Sequence, residues 1–238
     1  MKLDVLVFAA HPDDAELSCG GSIISMVSKG RKVGVVDFTR GEMGTRGTPE
    51  IRDQEAYEAG KILGLSIREN LAFSDVFFKN DDNHKLRLVQ AIRKYQPEII
   101  LANAIKDRHP DHGKASQMVR EAVFLAGLKK VETKSDQKTQ DIWRVKNIYN
   151  YIQTDFIQPD LVVDVSRFWA QRMDAVKAFK SQFFDPEGEP ANTLISSPQF
   201  MKLLEARASE LGHSIRAEYG EGFTVDRNIG VSDLFDLS

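Results

Sequence analysis

A single cysteine, Cys19, stands among the 238 residues, so no intrachain disulfide and no thiolate-rich structural metal site can form. Long hydrophobic runs are missing as well. The longest, 5–10 and 99–102, fall far short of the ~20 apolar residues that a membrane-spanning helix needs. The opening Met1-Lys2-Leu3-Asp4 puts an acid where a secretory leader would carry its apolar stretch. Cationic excess is also lacking: 32 Lys and Arg face 35 Asp and Glu, a net charge of −3, which gives no field to draw in a nucleic-acid backbone. These absences predict a cytoplasmic protein without nucleic-acid or membrane partners.

What is present is ordinary for a globular chain. A hydrophobic share of 42% and a charged share of 28% exclude a disordered or fibrous polymer. Parallel α/β cores routinely need about 200 residues or more, so the length predicts a single domain over 1–238. Residues 3–9 form a short Val- and Leu-rich run of the kind found in a buried parallel strand. Leu17, Gly21, Ile24 and Val27 then recur at helical spacing up to Gly30. A second strand is expected at 33–38, followed by a polar, glycine-rich loop at 39–47. Thr48-Pro49-Glu50 reads as a helix start, with a capping Thr, Pro at the first helical position and an acid in the first turn; Gly64 reads as its stop.

Further strands are expected at 70–73, 98–102, 148–152 and 161–165, and helices at 83–95, 115–128, 168–183 and 199–211. Segment 131–141 reads as a mobile surface loop, and 185–198, with its three prolines, as a loop long enough to serve as a lid. Strands alternating with helices predict a Rossmann-like α/β fold: a mostly parallel, doubly wound sheet flanked by helices. Ligands of such sheets bind beyond the C-terminal strand ends.

Two tetrapeptides lie at that edge. His11-Pro12-Asp13-Asp14 and His109-Pro110-Asp111-His112 each follow an apolar strand and precede a helix. One such turn alone is adequately explained as a helix cap, because Asp is a favoured capping residue. Two at equivalent positions bring imidazoles and carboxylates towards one point, which suits a metal ion. Two histidines with one carboxylate make a catalytic zinc set with its fourth position open. Asp13 and Asp14 are neighbours whose side chains should diverge, so one can bind metal while the other serves as a base.

The stretch from Phe8 to Glu16 resembles the signature of the LmbE/PIG-L-like family of zinc-dependent N-acetylglucosaminide deacetylases. His109 to His112 resembles the second motif of that family. The segment from Thr39 to Arg52 is similar to its loop-helix region, and the segment from Arg207 to Phe223 to its C-terminal signature. The resemblance implies zinc ligation by His11, Asp14 and His112 and a general-base role for Asp13. It implies that His109, as an imidazolium, stabilises the oxyanion while Asp111 orients it. Within the family the chain looks most like the bacillithiol-pathway branch, which deacetylates N-acetylglucosaminyl malate and often assembles as hexamers or other homo-oligomers. The mycothiol-pathway enzymes carry a tyrosine where this chain has Asp107.

For the substrate, Arg52 and Arg108 suit a carboxylate such as malate and Glu42 suits sugar hydroxyls, with Asn192 and Thr193 as weaker candidates. A nucleotide-binding oxidoreductase is disfavoured, because no glycine fingerprint follows the first strand. A phosphohydrolase of the kind built on a His-Asp dipeptide is disfavoured because that dipeptide is absent.

Overall fold

The computed structural model describes residues 1–183 and 193–236. Its elements run β1 (Val5–Ala9), α1 (Asp14–Ser28), β2 (Val33–Asp37), α2 (Pro49–Leu63), β3 (Ile67–Asn70), α3 (Asp82–Tyr95), β4 (Ile99–Ala102) and α4 (Pro110–Ala126). A small hairpin follows, β5 (Lys134–Ser135) and β6 (Lys138–Thr139), then β7 (Asn147–Tyr151), β8 (Leu161–Asp164), α5 (Trp169–Lys177), α6 (Pro198–Ser214) and β9 (Gly220–Val225).

Seven strands form one sheet in the order β3-β2-β1-β4-β7-β9-β8. The first five are parallel, and β9 runs antiparallel to both β7 and β8. Every residue of β1 and β2 is buried, because helices cover both faces of the sheet. Leu6 and Phe8 point into one core with Leu88, Ile92, Met118 and Val119. Val5 and Val7 point into the other with Cys19, Ile23 and Ala175. The strand order reverses between β1 and β4, which pair directly, and α1 and α4 leave those strands on opposite faces. A crevice must open where two such connections part. Both His-Pro-Asp turns emerge there.

The predicted start and stop of α2 hold. Thr48 accepts from the Ile51 N–H at 3.3 Å, and Gly64 takes the left-handed conformation with φ 75°. Elsewhere the boundaries differ. The strand expected at 70–73 lies at Ile67–Asn70, and Ala72 at φ 52° breaks the extended run. The loop expected at 131–141 contains the β5–β6 hairpin, turned by Asp136 and Gln137, both at positive φ as a type I′ turn requires. The helix expected at 168–183 is α5 alone, preceded by a 3₁₀ turn at Ser166–Phe168. α6 is longer than the predicted 199–211, starting from a Ser197 cap. β9 has no counterpart among the expected strands. Of the 185–198 lid reading and the Asn192 candidate, residues 185–192 lie outside the described residues.

Candidate active site

The chain leaves β1 through Ala10 and enters α1 at Asp14. Between them Asp13 sits at φ 129°, a conformation that L side chains rarely adopt and that costs about 1–3 kcal/mol. Arg52 holds it there. Its guanidinium, 4% exposed, donates to the Pro12 carbonyl and to Asp13 Oδ2 at 3.1 Å. Burial raises the Asp13 carboxyl to about 7, with the nearby Asp14 charge adding to the shift and Arg52 opposing it.

Asp14 joins the two turns. One carboxylate oxygen, Oδ1, lies 3.2 Å from His112 Nε2, and Oδ2 lies 3.6 Å from His11 Nδ1. Ligands about 2.0–2.2 Å from a tetrahedral zinc stand about 3.3 Å apart, so each histidine–carboxylate spacing taken singly is of the size found between two ligands of one cation, though the two use different oxygens of Asp14. Two amides, the buried Asn103 and the half-buried Gln153, fix the carboxylate. Asn103 Nδ2 donates to Oδ2 and Gln153 Nε2 to Oδ1, each at 2.9 Å. Asn103 Oδ1 in turn accepts from the Ala10 N–H at 2.9 Å. Burial opposes ionisation of Asp14, yet the His112 charge and the bonds to both histidines hold it well below the usual carboxylate range.

His112 Nδ1 donates to Asp107 Oδ2 at 2.7 Å, which leaves Nε2 directed at Asp14. Against burial, Asp14 and Asp107 raise His112 to about 9. His11 Nε2 faces Asp75 Oδ1 at 3.1 Å and Asp111 Oδ2 at 3.4 Å. Burial works against its protonation, but Asp111, Asp14 and Asp75 together raise it well above its ordinary value. Two ligand groupings, His11 with His109 and His112 and His11 with Asp75 and Asp111, bring one ligand atom from each residue within 4.8 Å of the others; the expected set of His11, Asp14 and His112 is not among these groupings of the described residues. Asp75 Oδ1 is buried without a hydrogen-bond donor despite its closeness to His11. An orphaned buried acceptor among imidazoles is what a cation-binding centre presents before loading, so the donor set fits a divalent ion.

Four expectations change. His109 caps α4: its Nδ1 accepts from the Asp111 backbone N–H at 3.3 Å. Burial and the neighbouring His11 and His112 push its basicity down, and an Nδ1 that accepts a backbone N–H leaves Nε2 to carry the proton, both of which disfavour the expected imidazolium. The Asp111 side chain does not reach His109. It accepts from Lys114 at 2.8 Å and the Val76 N–H at 3.0 Å, and backs His11. Glu42 does not line the cavity. Its carboxylate accepts from the backbone N–H groups of Asp75 at 2.8 Å and Arg40 at 3.2 Å, pinning two loops together. Arg52 lines the cavity, but it is buried and spends one terminal nitrogen on Asp13 and Pro12, so part of its guanidinium serves the protein's own carboxylate and not a substrate's, while its Nε has no partner. Arg108 is exposed at the cavity edge.

Asp75, Asn103, Asp107 and Gln153 were not predicted as site residues. Asn103 and Gln153 closely follow β4 and β7, at the strand ends where such sheets bind ligands, so topology held a signal for them. Asp75 sits in a loop with no periodicity to mark it.

The structure encloses a cavity of about 240 Å³ lined by His11, Asp13, Asp14, His109 and His112 and, on its far side, by α6. Among the described residues no helix is long and apolar enough to cross a membrane.

Comparison with known proteins follows the same line. The family model PIG-L: GlcNAc-PI de-N-acetylase matches residues 6–123, which carry both His-Pro-Asp turns. An uncharacterized deacetylase of Escherichia coli, YaiS, is 35% identical over 45% of this chain, and the match spans 61% of its own length, under two thirds. A 4-oxalmesaconate hydratase of Pseudomonas putida is 26% identical over 74% of this chain and 73% of its own. A probable N-acetyl-alpha-D-glucosaminyl L-malate deacetylase 2 of Bacillus anthracis is 24% identical over 75% of this chain and 81% of its own. Among solved structures, the conserved protein TT1542 of Thermus thermophilus is 35% identical, with a TM-score of 0.87 and 98% of each chain covered. The N,N'-diacetylchitobiose deacetylase of Pyrococcus horikoshii is 25% identical, with a TM-score of 0.80 over 93% of this chain and 82% of its own.

Proposed function

The chain belongs to the PIG-L (LmbE-like) family, and from that premise we propose that it is a metal-dependent amidohydrolase that removes acetate from an N-acetylglucosaminyl conjugate, with N-acetylglucosaminyl L-malate as its substrate. The observation that carries this reading is the meeting of His11 and His112 on the two oxygens of Asp14, beside a cavity and a strained, buried Asp13. The malate assignment draws on the Bacillus anthracis relative and on the exposed Arg108 at the cavity edge.

His11, Asp14 and His112 would hold a zinc or similar divalent ion, and such an ion supplies Lewis acidity to a water and to the amide carbonyl. Asp13 accepts the proton of the attacking water. A base raised to about 7 is matched to that task near neutral pH. Arg52 keeps the Asp13 carboxylate turned into the cavity. His109 Nε2–H donates to the developing oxyanion, a contact worth about 3–4 kcal/mol of barrier. Its tautomer is set in advance by the bond from the Asp111 N–H to Nδ1. Asp13, once protonated, is placed to return the proton to the departing amine.

One relative is named for a hydration, so the decisive experiment reads the product. Metal analysis of the purified protein is coupled to acetate release from N-acetylglucosaminyl malate, N-acetylglucosamine and diacetylchitobiose. Bound divalent metal, acetate release that a chelator abolishes and zinc restores, and a preference for the malate conjugate are the expected results. Equal rates on all three would remove malate and leave the deacetylase. No acetate from any of them would remove the deacetylase.

A further inference from the structure

Four arginines line the cavity: Arg52, Arg108, Arg172 and Arg207. Two are buried against the protein's own acceptors. Arg52, 4% exposed, spends one terminal nitrogen on Asp13 and Pro12 and leaves its buried Nε without a partner. Arg172, 3% exposed, donates to the carbonyls of Glu16 and Leu17 and lies 3.6 Å from Glu221. The other two are not. Arg108 is exposed and makes no hydrogen bond or ion pair with any described residue. Arg207, half-buried on α6, reaches only the carbonyls of Gln153 at 3.5 Å and Thr154 at 3.4 Å, with its guanidinium 5.2 Å from the Phe156 ring centre. Most of its five N–H donors therefore remain unused. Among the described residues no carboxylate pairs with either group.

We infer that Arg108 and Arg207 together read an anionic substituent on the substrate's aglycone, so that charge recognition falls to this pair and not to Arg52. The inference rests on the deacetylase reading above and adds the residues that select the conjugate. Two features of the geometry support it. Arg108 immediately precedes His109, and Arg207 touches the carbonyl of Gln153, whose amide donates to Asp14 Oδ1 at 2.9 Å. Arg108 thus adjoins His109 along the chain, Arg207 is linked to Asp14 through Gln153, and both line the cavity of about 240 Å³. A fork on a rigid helix, stacked on an aromatic ring, is preorganised for a carboxylate or a phosphate. Asp13, Asp14 and Asp75 line the same cavity around the histidines. A substrate with its amide at one end and its negative charge at the other is thereby oriented.

The test compares acetate release by the zinc-loaded protein from N-acetylglucosaminyl malate, its dimethyl ester and N-acetylglucosamine 1-phosphate. Wild type, Arg207→Ala, Arg207→Lys and Arg108→Ala are measured, with melting curves to confirm folding. The wild type should prefer the malate conjugate over its diester, and either alanine variant should cut that preference by about 10–100-fold, mainly through KM. Arg207→Lys should recover part of it. A phosphate conjugate used as well as the malate conjugate assigns the site to anions in general; one used poorly assigns it to carboxylates. Calorimetric binding of free L-malate to wild type and Arg207→Ala gives a readout without turnover. Weaker binding to the variant upholds the inference even if no acetate is released, in which case the deacetylase reading alone fails. An unchanged preference in both alanine variants, or equal malate binding with and without the Arg207 guanidinium, overturns it.

Discussion

Arg52 shows how far a residue's type can mislead about its partner. An arginine near a suspected site suits a carboxylate substrate, and the carboxylate it meets is Asp13. The sequence holds nothing to distinguish the two, because Arg52 and Asp13 are brought together only by α2 packing across the β1–α1 turn. The histidines were legible for the opposite reason: in each turn a proline and the helix start that follows it fix the local backbone, so their direction is set within four residues. Since Arg52 touches the base and not the ligand, Arg52→Met should lower kcat by about 10–100-fold. KM for the conjugate should move much less, as expected when only a group acting on the transition state is disturbed. Steady-state kinetics on the zinc-loaded variant checks this. A rise in KM with kcat intact would return Arg52 to substrate binding. Asp107 is read differently. It fixes the Nδ1–H of His112, and loss of such a partner typically weakens metal affinity about 10–100-fold. Asp107→Ala should show that loss in a competitive chelator titration. Wild-type affinity would mean that His112 needs no orienting carboxylate.

Elements were legible where they are covered on both faces. β1, β2 and β4 are short, Val-, Ile- and Leu-rich runs, and α2 carries its own start and stop residues. β9 escaped because Gly220 and Gly222 lower its strand character. Both are required by close approach: a Cβ on Gly220 would stand 2.6 Å from Val162 and 2.8 Å from the Gly212 nitrogen, and one on Gly222 2.9 Å from Ile152. β9 nevertheless supports α1. That helix is interrupted at Cys19, where φ is −144°, and the N–H groups of Gly21 and Ser22 lose helical partners there. Glu221 of β9 accepts both, at 2.9 and 2.7 Å, beside the buried Arg172. The kink places the first turn of α1, with Asp14, independently of the rest of the helix. Glu221→Ala leaves two buried donors without their acceptor and the buried Arg172 without its counter-charge, and should destabilise the fold by about 3–5 kcal/mol. Urea unfolding measures it; a loss below about 1 kcal/mol would show that water replaces the carboxylate.

At the scale of the whole molecule, the order reversal between β1 and β4 concentrates titratable groups at one edge of the sheet, and this couples folding to pH and to metal. His112 is raised to about 9 by Asp14 and Asp107, and burial raises Asp13 to about 7. For both groups the folded state holds its proton more tightly than the unfolded chain. The His112 contribution is therefore complete below its unfolded value near 6.5 and is lost as pH rises through 9, a change of roughly 3 kcal/mol. The Asp13 contribution has the same sign and is lost earlier, as pH rises to 7. Asp14 and Asp107, held below the usual carboxylate range, act only at the acid end. Metal-free protein should thus weaken steadily from about pH 6 to about pH 9. Loading reverses the slope, because a ligating His112 must give up its Nε2 proton, so metal affinity and the stability it confers grow with pH. Urea unfolding at about pH 6 and about pH 9, with chelator and with excess zinc, should give curves of opposite trend. Parallel trends would show that the proton on His112 and the metal do not compete for one nitrogen, and the ligand set would have to be sought in the grouping of His11 with Asp75 and Asp111.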